Sequence, residues 1–269
     1  MTHNPLPPEL AELARIARRL AHRELVPRFA HVARQTKRDG SVLTEADLAM
    51  QRGMLEALAA HAPGEAVLAE EMTAEQQAQL LAGSDRLWCL DPLDGTSNFA
   101  TGLPYFAVSL ALLVQGETEL ALVYDPLRDE CFCARRGAGA WLNDTPLQVA
   151  PTPPLRHAMA AVDLKRLRAP LAAAVAARPP FASQRNYGAS TLDWCWIAAD
   201  RFHIYLHGGQ KLWDYAAGHL ILLEAGGHAL TIGGERVPAR TLATRSVVAA
   251  ADSAVFPGWL DWVQGASRD

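Results

Sequence analysis

Three apolar strand candidates lie almost end to end between Phe106 and Ala134: Phe106 to Val114, Glu119 to Tyr124 and Glu130 to Ala134. Their connections are built on Gln115-Gly116 and on Asp125-Pro126-Leu127-Arg128. Links that short can reverse the chain but cannot carry a crossover, so these strands must pair antiparallel. The apolar run from Leu103 to Val114 is interrupted by Pro104 and falls far below the ~20 residues of a spanning helix, which marks it as a buried strand.

Upstream, Leu10, Leu13, Ile16, Ala17 and Leu20 recur at helical spacing, which predicts an amphipathic helix from residue 9 to about 32. A polar stretch follows, Gln35-Thr-Lys-Arg-Asp-Gly-Ser41, with a turn at Asp39-Gly40. Thr44 caps a second helix from Glu45 to Ala60, with Asp47 where a capping box usually has Glu or Gln, and Pro63-Gly64 stops it. Strands are expected over Ala66 to Glu70 and Arg86 to Asp91, with a short helix rich in Gln and Ala between them. Pro151 to Pro154 reads as a linker.

Beyond that linker, strands (Ala158 to Val162, Phe181 to Tyr187, Phe202 to Leu206, Ala229 to Ile232, Ser246 to Ala250) alternate with helices (Leu171 to Ala177, Thr191 to Ala199, Trp213 to Ala225, Val255 to Val263). The expectation is an antiparallel half, residues 1–150, sharing one interface with a mixed half, residues 151–269.

A net charge of -4 offers no basic surface for nucleic acid or an anionic membrane. Glu9 and Glu12 precede any Lys or Arg, the wrong order for a secretory signal. Four cysteines are too few for a disulfide framework in 269 residues, and Cys131 and Cys133, two apart on a strand, share one core-facing side. A cytoplasmic protein with buried, reduced cysteines is expected, with neither nucleic acid nor membrane as partner.

The chemistry concentrates in Trp88-Cys-Leu-Asp91-Pro-Leu-Asp94-Gly-Thr-Ser-Asn-Phe99. A hydrophobic strand ends at Asp91, Pro92 bars regular structure from continuing, and Ser97 or Asn98 caps a short helix. Two carboxylates are thereby held at the mouth of a strand, beside the N–H groups of Gly95 and Thr96 at a helix start, where anions bind well. An Asp-Gly turn alone is common. Clustered acids, however, repel by ~4 kcal/mol per pair at 4 Å for an effective dielectric near 20. Oxygen-rich clusters of this kind call for a hard divalent cation such as magnesium.

Asp91-Pro-Leu-Asp94-Gly-Thr96 with Asn98-Phe99, and the later Trp213-Asp214-Tyr-Ala-Ala-Gly218, resemble the two signatures of the inositol monophosphatase family. Glu70-Glu71 is similar to the family's paired glutamates, and the likeness extends to Thr44 to Asp47, Gly188-Ala-Ser190 and Glu224-Ala-Gly-Gly227. The resemblance implies an α+β fold, a five-layer αβαβα sandwich of the inositol monophosphatase and fructose bisphosphatase type. It also implies a homodimer and Mg2+-dependent hydrolysis of a small phosphate ester, with two or three Mg2+ per site and inhibition by lithium.

By the same resemblance, Glu70, Asp91 and the carbonyl of Leu93 bind a first metal, and Asp91, Asp94 and Asp214 a second. Thr96, with Glu70, orients and helps deprotonate the attacking water, and Thr44 and Asp47 support Thr96. Substrate contacts fall on Asp94, Gly95, Thr96, Gly188, Ser190, His207 and Asp214. Read from the residues alone, Asp214 near a helix cap with Trp213 packed as a staple is compatible with the metal role. Ala216, Ala217 and Gly218 permit close packing of that helix.

The family pattern breaks at His207, where many relatives carry an acid seven positions before the Trp-Asp aspartate. A neutral imidazole accepts one hydrogen bond, whereas a protonated one favours a second anionic group; a surface histidine on a glycine-rich loop is the plain alternative. His203, four residues earlier, lies on a strand-like segment that speaks against a metal pair. Lys37 and Arg38 are either phosphate-closing or solvated, and Lys165, Arg166 and Arg168 read as an exposed basic face. Inositol monophosphate is the default substrate. Histidinol phosphate, fructose bisphosphate or a nucleotide 3′-phosphate is the alternative, and a regulatory or binding protein retaining the fold is the non-enzymatic one.

Overall fold

The computed structural model describes residues 5–36 and 42–268. Lys37, Arg38 and the Asp39-Gly40 turn lie outside the described residues. The first helix, α1 (Pro8–Glu24), buries Leu10, Leu13, Ile16, Ala17 and Leu20 along one stripe. It stops short of residue 32 because Pro27 cannot donate to the helical ladder, and Val26–Arg28 tightens into a 3₁₀ turn. Two short strands, β1 (Gln35–Thr36) and β2 (Val42–Leu43), lead to α2 (Glu45–His61).

Then follow β3 (Ala66–Ala69), α3 (Ala74–Gly83), β4 (Arg86–Asp94), α4 (Thr96–Thr101), β5 (Ala107–Val114), β6 (Glu117–Asp125), β7 (Glu130–Arg135), β8 (Gly139–Leu142) and β9 (Thr145–Leu147). These strands form one sheet in sequence order. Only β3 and β4 are parallel; every later pair is antiparallel, and across β5, β6 and β7 the short turns produce this as expected.

The remaining elements are β10 (Met159–Asp163), α5 (Ala169–Ala177), β11 (Ser183–Arg185), α6 (Ser190–Ala198), β12 (Ile204–Gln210), α7 (Leu212–Glu224), β13 (His228–Leu230), β14 (Arg245–Ala250) and α8 (Phe256–Ala266). Their sheet has the mixed order β11-β10-β12-β14-β13, with β10 parallel to both of its neighbours.

Three apolar cores hold five layers together, the middle one covering both faces of the central helices. One packs α1 and α2 on the outer face of the first sheet, through Leu13, Met50 and Leu90. The second lies between the two sheets, where α6 and α7 are sandwiched through Trp194, Tyr215 and Leu222. The third closes the far face of the second sheet with α5 and α8, through Leu171 and Trp259. This is the α+β five-layer sandwich expected from the resemblance. A Cβ at Gly218 would come within 2.4 Å of the Trp194 Cβ, so α6 and α7 approach as closely as the run of small residues allows. All four cysteines are buried and free.

Three local expectations fail. The strand β4 runs through Pro92 to Asp94, because a register shift between Asp91 and Asp94 absorbs the residue that cannot donate. The cap of α4 is Gly95, in the left-handed region at φ 84°, and neither Ser97 nor Asn98. His207 is no loop residue: β12 continues through it to Gln210, with an irregularity between the two, and the side chain is buried.

Candidate active site

The register shift at the end of β4 turns Asp91, Leu93 and Asp94 toward a cavity of about 580 Å³, lined also by Glu70, Thr96 and Asp214. Each arrives from a different element. Glu70 follows β3, held at its backbone by its own N–H to the Leu90 carbonyl (3.1 Å) and by Gln77 Nε2 donating to its carbonyl (3.1 Å). Asp214 sits in the first turn of α7, where its Oδ2 accepts the Lys211 N–H at 2.8 Å. That is the expected helix-start position.

Each aspartate is partly engaged by the chain. Asp91 Oδ1 accepts the Leu93 N–H at 3.0 Å. Asp94 Oδ2 accepts both the N–H and the hydroxyl of Thr191, each at 2.7 Å. Among the described residues no three His, Cys, Asp or Glu side chains group tightly enough to hold a metal ion as they stand. The side chains expected as ligands therefore share a cavity without forming a closed coordination shell.

Their electrostatics favour a cation. Burial, and then the charges of Glu70, Asp94 and Asp214, drive the Asp91 carboxyl well above the usual range. Burial followed by Asp94 does the same to Asp214. Burial lifts Asp94 to about 6 against the lowering bonds from Thr191. A group of like charges that raise one another's affinity for protons favours a hard cation for the same reason, and every donor, the Leu93 carbonyl included, is oxygen. The residues present suit Mg2+ by donor chemistry.

Beside this cluster, Thr96 Oγ1 lies 3.0 Å from Asp47 Oδ1 and 3.0 Å from the Leu93 carbonyl. Asp47 is fully buried, and its Oδ2 takes the Thr44 N–H (2.7 Å) and hydroxyl (2.6 Å). The expected capping box thus forms with Asp in the place of Glu, and it aims the second carboxylate oxygen at Thr96. Burial raises the Asp47 carboxyl although these bonds oppose it.

A smaller cavity of about 180 Å³ opens beside the first and shares Asp94, Arg166, Gly188, Gly209 and Asp214 with it. Ser190 and His207 line it, in the region where substrate contacts were expected, together with Asp163, Asn186 and Asp193. His203 takes a different part: its Nδ1 accepts the Met159 N–H at 2.8 Å. Lys165 and Arg166 are exposed, as expected, but they also line the larger cavity, so the basic face overhangs the carboxylates.

Thr191, Asp163 and Asp193 were missed by sequence reasoning. Asp193 is buried and accepts the Tyr105 hydroxyl at 2.8 Å, with burial raising its carboxyl well above the usual range. The one signal available was their nearness to Gly188-Ala-Ser190 and to the basic run.

Comparison with known proteins identifies the family. The family model described as the inositol monophosphatase family matches residues 8–264. The Nus factor SuhB of Haemophilus influenzae is 38% identical over 190 residues, covering 69% of this chain and 70% of its own. That relative is named as a factor and not as a phosphatase, so the expectation that nucleic acid plays no part is not carried forward. Among solved structures, the Thermotoga maritima IMPase superposes with a TM-score of 0.84 at 25% identity, covering 96% of this chain and 98% of its own. An IMPase/NADP phosphatase complexed with Mg2+ and phosphate shares the fold at a TM-score of 0.78 and 23% identity, over 94% of this chain and 90% of its own. No helix among the described residues is long and apolar enough to cross a membrane. With the model match spanning nearly the whole sequence, the chain belongs to the inositol monophosphatase family.

Proposed function

We propose that the protein is a magnesium-dependent phosphomonoesterase acting on a small polyol or sugar phosphate, with inositol monophosphate as the default substrate. The convergence of Glu70, Asp91, Asp94, Thr96 and Asp214 on one cavity carries this reading. Glu70, Asp91 and the Leu93 carbonyl would hold one Mg2+, and Asp91, Asp94 and Asp214 a second. Bound there, Mg2+ supplies positive charge that neutralises phosphate oxygens and acidifies water.

The chain's own residues account for proton movement. The Thr96 hydroxyl donates to Asp47, so its lone pairs are open to accept from a water in the cleft, which Glu70 helps to orient. As that water attacks phosphorus, its proton passes to Thr96 Oγ1 and the threonine proton passes to Asp47 Oδ1. The P–O bond to the alcohol breaks, and the leaving alkoxide takes a proton from solvent. Buried Asp47, with its raised proton affinity, is a suitable acceptor. Lys165, Arg166 and Lys211, around the same cavity, hold the anionic ester. Four buried cysteines without a disulfide accord with a cytoplasmic setting.

The test is phosphate release from inositol 1-phosphate and a panel of esters, with and without Mg2+. Mg2+-dependent turnover is expected. Metal-independent turnover, or full activity in Asp94→Asn, overturns the mechanism. A second reading, a regulatory or binding protein that keeps the fold, is favoured by the name Nus factor on the H. influenzae relative. Capture of a defined partner by both the wild type and Asp214→Asn, with no ester hydrolysed, is the outcome that selects it.

A further inference from the structure

The smaller cavity is built to accept hydrogen bonds. His207 and Asp163 are register partners on the parallel strands β12 and β10, so the sheet itself sets them side by side. The Gly209 N–H donates to His207 Nδ1 at 3.1 Å. A backbone N–H can only donate, so the ring proton belongs on Nε2, which faces Asp163 Oδ2 at 3.4 Å. The imidazole therefore has no acceptor to offer a ligand. The acceptor is Asp163, whose Oδ1 takes the Lys165 N–H (3.0 Å) and Asn186 Nδ2 (3.4 Å). A carboxylate has about four lone-pair positions, and these three partners leave room for a further donor from the cavity.

The turn that carries Asp163 is pinned in place. A Cβ at Gly208 would sit 1.8 Å from the Arg166 carbonyl oxygen, so only glycine lets the Leu164–Arg166 turn descend onto β12. Asp193 adds a second carboxyl to the cavity wall.

We infer that Asp163, oriented by His207, is the specificity-determining residue that accepts a hydrogen bond from a hydroxyl beside the ester carbon of the leaving alcohol. This rests on the phosphatase reading and deepens it. Asp163 thereby supplies, from the neighbouring strand, the acceptor that the His207 ring does not offer.

The experiment compares glycerol 2-phosphate with isopropyl phosphate, which has the same carbon skeleton and no hydroxyl, in wild type, Asp163→Asn and His207→Gln. The wild type favours glycerol 2-phosphate in kcat/KM. In Asp163→Asn the ratio of the two kcat/KM values falls about 10–100-fold, the size of one hydrogen bond to a charged group. In His207→Gln it falls in the same direction by less. Isopropyl phosphate turnover reports whether each variant is folded. Losses equal for both esters, or an unchanged ratio, overturn the inference and leave the phosphatase reading standing. A wild type that hydrolyses no ester removes the phosphatase reading and this inference with it.

Discussion

Asp47 and Thr96, forty-nine positions apart in the chain, meet at 3.0 Å, with the aspartate sealed beneath the first turn of α2 and the threonine at the start of α4. The contact links a helix cap to the carboxylate cleft. Asp47 therefore has a structural partner on one oxygen and a chemical one on the other.

Separating these two roles gives the first prediction. Thr96→Val removes the hydroxyl and keeps the shape, and kcat should fall about 10²–10⁴-fold, the usual worth of a positioned acid–base group. Thr96→Ser should retain most activity. Asp47→Ala should lose comparable activity and also about 1–3 kcal/mol of stability, since the buried Thr44 N–H is left without an acceptor. Steady-state kinetics paired with urea melts distinguishes the two variants.

Mutual repulsion among the cleft carboxylates predicts effects of opposite sign with and without metal. Asp214→Asn keeps an oxygen for the Lys211 N–H and removes one charge, so the metal-free variant should melt a few degrees above metal-free wild type, about 1 kcal/mol. Saturating Mg2+ should raise the wild-type melting temperature, and EDTA should reverse the rise, while the variant responds far less. A variant that melts lower without metal and responds equally to Mg2+ contradicts this account.

His219, on α7 with its ring 5.6 Å from that of Trp194, sets an acid limit on stability. Burial, then the charges of Arg136 and Arg236, push it down to about 4 from 6.5. The unfolded chain thus takes up its proton first as the pH falls. The stabilising contribution is complete above about pH 6.5 and is lost progressively toward pH 4, up to about 3 kcal/mol. Denaturation midpoints from pH 7 to pH 4 should fall less steeply in His219→Gln than in wild type.

Gly208→Ala forces a methyl group against the Arg166 carbonyl. The variant should lose about 1–3 kcal/mol through overpacking. Any displacement of the turn should also weaken selection between esters, because Asp163 starts that turn. A thermal melt together with the glycerol 2-phosphate to isopropyl phosphate ratio reads both effects.

Much of the scaffold could be read along the chain. The apolar runs at Phe106 to Val114 and Ser246 to Ala250, and the helical spacing of Leu10 to Leu20, mark elements whose partners follow from short links or one-sided burial. Asp91, Asp94 and Asp214 were legible because two signatures hold them at fixed offsets from a strand end and a helix start. Pro92 misled, since a proline is read as a stop unless its own strand bulges around it, and β4 does so between Asp91 and Asp94. The short strands β8 and β9 gave little signal, and they pair at the far side of the sheet from β4.

Local order therefore determined by itself which segments form strands and helices, and which acids stand at their ends, because hydrophobic period and turn chemistry act over a few residues. Tertiary structure alone decided that Thr191 grips Asp94, that Asp47 reaches Thr96 and that Asp163 stands beside His207. Those pairings are set by strand register and by the approach of separate layers. They depend on distances between elements that no local pattern encodes.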